Sequence, residues 1–321
     1  MKILLGREEI NLGKLDSGGR TLLSFAAWFR HEGVVKILLG REEVNPDRPD
    51  DGGRTPLSNA ACFGHVGVVK ILLGREEVNL DKPDEWGQTP LSDTARNGHE
   101  GVVKVLLGRE EVNPDTPDND CRTPLWFAAR NGHEGVVKIL LGREEVNPDT
   151  PDNYGRTPLS HTAENGHKGV LKILLRRDEI SPDKPDNDGR TPLSFAARGG
   201  HEGVVKILLG WEGVNPDRAD INGRTPLSHA AGNGNEGVVK ILLEREEISP
   251  DKLDNYGRTP LSFAARNGHK EVVKILLGRE EVNPDTPDNN GRTPLMRAAL
   301  HGHQRVVALL QSRKAVPPLT V

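Results

Sequence analysis

Apolar residues recur along this chain at a spacing that never drifts. Within residues 123–142, Leu125, Ala128 and Ala129 fall at i, i+3 and i+4, the narrow apolar face of a short helix. Asn131-Gly132 interrupts that pattern. Val136, Val137, Leu140 and Leu141 then supply the stripe of a second helix that starts at His133-Glu134. Polar residues 118–122 precede the pair as a turn, Thr123 stands as N-cap and Pro124 occupies the first helical position. The following stretch, Asn147-Pro148-Asp149-Thr150-Pro151-Asp152, carries two prolines that remove donors and fix φ, so it is not helical. The pattern predicts a short helix pair followed by an extended loop and a turn. One boundary stays open: the second helix stops at Gly142 or runs on through Arg143.

The same sentence is written nine times. Thr21, Thr55, Thr89, Thr123, Thr157, Thr191, Thr225, Thr259 and Thr293 are spaced by 34 residues throughout. No single helix pair can bury its apolar stripes alone, so neighbours must stack. The expected fold is therefore all-α, a solenoid of helix-turn-helix units joined by extended hairpin-like loops. The repeats fall at about 17–50, 51–84, 85–118, 119–152, 153–186, 187–220, 221–254, 255–288 and 289–321, together one domain over residues 1–321. Residues 1–16 match the second helix and loop of a repeat whose first helix is missing. That is how a piece of a longer chain would begin; the other reading is a gene start with a frayed cap. The last repeat drops its loop and turns polar at Gln304, Arg305, Gln311, Ser312 and Arg313, as a capping repeat should.

Composition sharpens the picture. Aromatic residues are only 4% of the chain, with 36 Gly and 23 Pro, which suits thin layers of small helices better than one large core. Charges are interspersed, 43 positive against 47 negative, with no basic block that would call for nucleic acid or an anionic membrane. No apolar run is long enough to span a bilayer. Cys62 and Cys121 have neither disulfide-framework nor metal spacing, so a reducing cytoplasm is expected.

The stretch "DNDGRTPLSFAARGGHEGVVKILLG", residues 186–210, resembles the ankyrin repeat and its T-P-L-H-x-A signature. The resemblance covers essentially the whole chain. Two features depart from it: the period is one residue longer, and serine (or Trp126 and Met296) replaces the histidine after T-P-L. The "TPLS" form with "NPDxPD" loops is similar to near-identical arrays of fungal proteins, NACHT-type receptors among them. What the resemblance implies is a partner-binding concave groove built from turn tips and first helices.

Candidate chemistry is sparse. His31, His65, His99, His133, His167, His201, His269 and His303 recur once per repeat. In a stack they would lie roughly 8–10 Å apart, too far to share a metal. Asn235 fills the slot in the seventh repeat, which supports a scaffold role. Carboxylates such as Glu144-Glu145 and Asp149/Asp152 also repeat, whereas a catalytic site needs a unique, asymmetric constellation. None is visible, so no enzyme, cofactor, metal or small-molecule substrate is expected.

Function should lie where the repeats differ. Eleven of the twelve aromatics, all except Trp211, occupy a first helix or a turn tip. Helical rotation of about 100° per residue places Phe127 and Arg130 away from the direction of Leu125. The expected partner-binding set is Phe25, Trp28, Trp86, Asp120, Phe127, Arg130, Tyr154, Phe195, Arg198, Tyr256, Phe263 and Arg266. Phe25, Trp28, Phe29, Cys62, Phe63 and Trp86 crowd the first three repeats. They form a hot-spot patch, or they cover apolar surface left by the missing half repeat. Alternation of Phe127, Phe195 and Phe263 with His161 and His229 points to duplication in blocks of two repeats. Two functions follow: a monomeric module that binds a partner protein, or a spacer in which only length matters.

Overall fold

The computed structural model describes residues 12–314. These divide into two compact bodies, Met1–Asn153 and Tyr154–Val321. The reading of residues 1–16 as a half repeat rests mainly on residues outside the described ones.

The N-terminal body holds α1 (Leu22–Trp28), α2 (Glu32–Leu39), α3 (Pro56–Cys62), α4 (Val66–Leu72), α5 (Pro90–Asn97), α6 (Glu100–Leu107), α7 (Pro124–Arg130) and α8 (Glu134–Leu140). The C-terminal body holds α9 (Pro158–Asn165), α10 (Lys168–Leu174), α11 (Pro192–Gly199), α12 (Glu202–Leu209), α13 (Pro226–Asn233), α14 (Glu236–Leu243), α15 (Pro260–Arg266), α16 (Lys270–Leu277), α17 (Pro294–Leu300) and α18 (Gln304–Lys314). Among the described residues there is no strand.

Every first helix starts as expected. Thr123 is extended, and its hydroxyl accepts from the Trp126 amide at 3.2 Å, with Pro124 following. In most repeats the residue at that third position is serine, whose hydroxyl also bonds the threonine, as in Thr89–Ser92 at 3.2 Å. Within each body, first helices pack on the next first helix and second helices on the next second helix, while each helix pair closes on itself. Leu125, Ala128, Ala129, Val136, Val137 and Leu140 are fully buried between these layers. Burial of such thin stripes is additive along the stack, so each repeat is stable only against its neighbours.

The second helix stops early. α8 ends at Leu140 with Leu141 as a right-handed cap, and Gly142 already bonds back to the Ile139 carbonyl at 3.2 Å. Neither Gly142 nor Glu144 takes a left-handed conformation. A second turn, closed by the Val146 amide on the Arg143 carbonyl at 3.3 Å, brings Val146 back to the core. In α18, Gln304, Arg305, Gln311 and Ser312 are exposed while Val306 and Leu310 are buried.

Candidate functional site

An aspartate holds each turn tip, and from the third repeat on it is buried. Asp118 accepts through Oδ1 from the amides of Asp120 (3.0 Å) and Arg122 (2.9 Å), and through Oδ2 from Arg122 Nε at 2.8 Å. The next tip then donates an amide to this one: Asn119 to the Trp86 carbonyl at 3.0 Å, Asn153 to Asp120 at 3.1 Å. In the C-terminal body Asn187 bonds Tyr154 and Asn289 bonds Tyr256 in the same way. With its backbone so fixed, the tip holds side chains out to solvent from the third repeat on. Trp86, Tyr154 and Tyr256 are 53%, 67% and 54% exposed, and Asp120 is exposed beside them.

This arrangement needs glycine after the tip residue. At Gly87, φ is +79° and a Cβ would lie 2.8 Å from the Asn119 amide nitrogen. Cys121 occupies the same slot at φ +61°. A non-glycine residue there is strained by about 1–2 kcal/mol. Cys121→Gly is therefore expected to raise stability by about 1 kcal/mol, read from the urea midpoint at unchanged slope. A lower midpoint would mean that packing of the thiol outweighs the strain.

The first helices correct the expectation that their phenylalanines point outward. Phe127, Phe195 and Phe263 are buried, at 3%, 1% and 8% exposure. Each lies beneath two guanidinium groups: Arg96 (4.3 Å) and Arg122 (5.3 Å) over Phe127, Arg156 (5.1 Å) and Arg190 (5.2 Å) over Phe195, Arg224 (5.1 Å) and Arg258 (4.8 Å) over Phe263. The slot faces away from its own second helix, but neighbouring first helices and the turn arginines cover it. Three polar residues in the same slot find a charged partner, whereas Asn59 is buried there with neither amide atom hydrogen-bonded. His229 meets Asp220 at 3.0 Å, Arg297 pairs with Asp288, and Asp93 lies 3.6 Å from Arg54. Alternation of Phe and His is thus a change of packing partner. Phe25, with only Arg20 over its ring at 4.9 Å, and Trp28 are half-buried. Trp28 packs on Phe63 at 5.1 Å, and Phe29 and Phe63, which cap α1 and α3 rather than lying within them, stay exposed. Arg130, Arg198 and Arg266, at the end of their helices, are exposed as expected.

The histidine row is a set of inter-repeat staples. His99 Nε2 donates to the Cys62 carbonyl at 3.0 Å and His133 Nε2 to the Arg96 carbonyl at 2.8 Å. His201, His269 and His303 do the same in the C-terminal body. Asn235 substitutes through its amide, which reaches the Ala197 and Arg198 carbonyls at 2.8 and 2.9 Å. A donor is what the slot requires, because the last carbonyls of a helix lack partners.

Variation converges at one place in the N-terminal body. A cleft of about 550 Å³ is lined by Arg54, Trp86, Gln88, Arg96, Arg122, Trp126, Phe127, Arg130 and Asn131. Aspartates pair with two of its arginines: Arg122 with buried Asp118 at 2.7 Å and exposed Asp120 at 3.0 Å, and Arg54 with buried Asp93 at 3.6 Å and Asp84 at 3.7 Å. Burial pushes the Asp93 carboxyl up to about 6 against the pull of Arg54 and Arg96. Burial also works against the Arg54 charge, yet Asp93, Cys62 and Asp84 together hold its pKa above the ordinary value. The pair is lopsided: deep burial costs Asp93, while the more exposed Arg54 gains. Trp126 is locked by its indole N–H on Asp152 Oδ2 at 3.2 Å.

A family model described as ankyrin repeats (three copies) matches this chain in seven overlapping placements, at residues 34–118, 74–152, 95–186, 136–220, 178–254, 195–286 and 246–319. The chain belongs to the ankyrin-repeat family. No curated protein matches it beyond that. The 34-residue ankyrin period therefore marks what is scaffold in this chain, and departures from it mark what is particular. Gln88 is such a departure, standing where every other repeat has arginine. So is the run of Arg96 and Arg130, the one place where consecutive ankyrin repeats both end α-helical position Arg130 or its equivalent in arginine. Arg54 and Arg122 line the cleft and were not singled out from sequence, because a side chain repeated in nearly every ankyrin unit reads as scaffold; Trp126, which also lines it, stood out only as a departure from the usual residue after T-P-L. The break at Gln88 was the available signal.

The Cys62 thiol is not activated. Cys62 is half-buried, and burial, then Asp93, raise its pKa although Arg54 and Arg96 oppose them. Among the described residues no group of three His, Cys, Asp or Glu side chains is disposed to hold a metal ion. No helix there is long and apolar enough to cross a membrane.

Proposed function

We propose that this chain binds a partner protein through its turn tips and the exposed ends of its first helices. Ankyrin repeats generally act as protein–protein interaction modules. The observation that carries the reading is the exposure of Trp86, Tyr154 and Tyr256 on tips whose backbone is fixed by buried aspartates. Large aromatics on a rigid support lose little entropy on binding, and interfaces enrich them. Asp120, Arg130, Arg198 and Arg266 supply the polar rim, with Phe25 and Trp28 at the first repeat. Phe127, Phe195 and Phe263 act from below, by positioning the arginines that cover them. The face is the one the family resemblance describes as concave, and the setting proposed is a reducing cytoplasm.

The test combines capture from the native cell extract with unfolding. Trp86→Ala, Tyr154→Ala and Tyr256→Ala together should weaken capture of a specific partner by about 2 kcal/mol or more if they include hot spots. Swapping tips between repeats should change what is captured. Unchanged capture after both manipulations, with a graded loss only on deletion of whole repeats, would support a spacer instead.

A further inference from the structure

The cleft in the N-terminal body is built from the residues that break the repeat. It presents four arginines and no carboxylate to the space it encloses. Two of them, Arg54 and Arg122, are balanced by aspartates from behind. Arg96 is different. Its guanidinium lies on the Phe127 ring at 4.3 Å, and it forms no ion pair with any described residue. Burial lowers its pKa; Asp93 and Asp118 oppose this, but Arg122 and Arg54 add to it. A half-buried cation with that balance is short of negative charge on its open side. Arg130, one repeat on, is exposed at the rim with its guanidinium 5.2 Å over Trp126.

The aromatic wall is singular as well. Tyr154 and Tyr256 are each covered by the arginine of their own turn, at 5.8 and 4.7 Å. Gln88 takes that arginine's place beside Trp86, so the indole is left without such a cover and is 53% exposed at the cleft edge. Gln88 itself is buried, and its Oε1 has no hydrogen-bond partner. The site thus offers guanidinium forks and an open indole face within one space.

We infer that this cleft captures an acidic residue of a partner protein's extended segment, with Arg96 and Arg130 gripping the carboxylate and Trp86 packing on the apolar side chain next to it. Guanidinium forks match a carboxylate in plane. Polyanions fit less well, because exposed Glu85 and Asp120 stand on the flanking tips and the chain carries net charge −4. The inference rests on the partner-binding reading above and names the chemistry of one anchor within it.

The experiment pans a phage-displayed random dodecapeptide library on the full chain at low salt, then measures the selected peptides by the fluorescence of Trp86 and Trp126. Enriched peptides should carry Asp or Glu beside an apolar residue. Changing that acid to its amide, or making the double change Arg96→Gln with Arg130→Gln, should weaken binding by about tenfold or more. The same change at Arg75 and Arg109, exposed beyond α4 and α6 and outside the cleft, should stay within about twofold. Because Arg96 also covers Phe127, Arg130→Gln alone and Arg96→Lys serve as variants that leave the ring packed or the charge in place. Failure to enrich acidic peptides overturns the proposal, as does binding indifferent to Arg96 and Arg130 or tighter binding of a dT12 oligonucleotide. If a protein captured from extract ignores the cleft variants but is lost on truncating the tips, the acidic anchor falls while the partner-binding reading stands.

Discussion

Phe127→Ala is expected to destabilise the N-terminal body by about 3–5 kcal/mol, whereas Trp86→Ala should change it by less than about 0.5 kcal/mol. The two rings lie in neighbouring repeats and both break the aliphatic pattern, yet their surroundings are opposite. Phe127 is 3% exposed, meets Trp126 edge-on at 5.0 Å and carries the guanidinium of Arg96 at 4.3 Å. Removing it opens a cavity that the fixed tips cannot fill, and it strips two arginines of an apolar support. Trp86 is more than half exposed and anchored only through its backbone, by its amide on Asp84 Oδ1 at 3.0 Å. Equilibrium urea unfolding of the full chain, fitted with neighbour coupling between repeats, gives both numbers. A Trp86 variant that unfolds early beside a Phe127 variant that matches the parent would reverse the assignment of scaffold and surface.

Gly98→Ala should cost roughly 2–3 kcal/mol, from strain and a lost staple. Gly98 caps α5 at φ +75°, and a Cβ there would sit 2.5 Å from His133 Nδ1. The ring has to move, and it is held by its Nε2 donating to the Arg96 carbonyl at 2.8 Å. The left-handed backbone alone disfavours alanine by about 1–2 kcal/mol, and the broken bond to a helix-end carbonyl adds about 1 kcal/mol. Gly33, inside α2, is the control. It has no heavy atom within 4 Å of a built Cβ, so Gly33→Ala should stabilise by about 0.5–1 kcal/mol through helix propensity. A loss of only about 1–2 kcal/mol at Gly98 would show that the histidine staple carries no stability, and equal effects at the two glycines would remove the backbone strain as well.

Most of the scaffold was legible because one residue type does one job in every repeat. Thr123 and its equivalents cap, Pro124 starts, Leu125 and the Val-Val and Leu-Leu pairs are buried, and all of this follows from local periodicity. The sequence leaves the end of the second helix open between Gly142 and a run through Arg143; the helix stops at Leu140, with no left-handed residue at Gly142 or Glu144 to mark the end. The burial of Phe127, Phe195 and Phe263 was missed for a deeper reason. A helical wheel assigns the side opposite Leu125 to solvent, but in a stack that side is roofed by arginines from two turns, or by a turn and a helix end. Arg122 looked like scaffold because it repeats, and it is scaffold. It becomes part of a site only where Gln88, Arg96 and Trp126 change its neighbours.

Hydroxyl-radical footprinting of the full chain, free and bound to a captured partner, tests the division between rigid support and recognition surface most directly. Free, Trp86, Tyr154 and Tyr256 should oxidise quickly and Phe127, Phe195 and Phe263 slowly; bound, one or more of the first three should become protected while the phenylalanines do not change. Rapid oxidation of the phenylalanines, or a bound partner that protects none of the tip aromatics, would contradict the account.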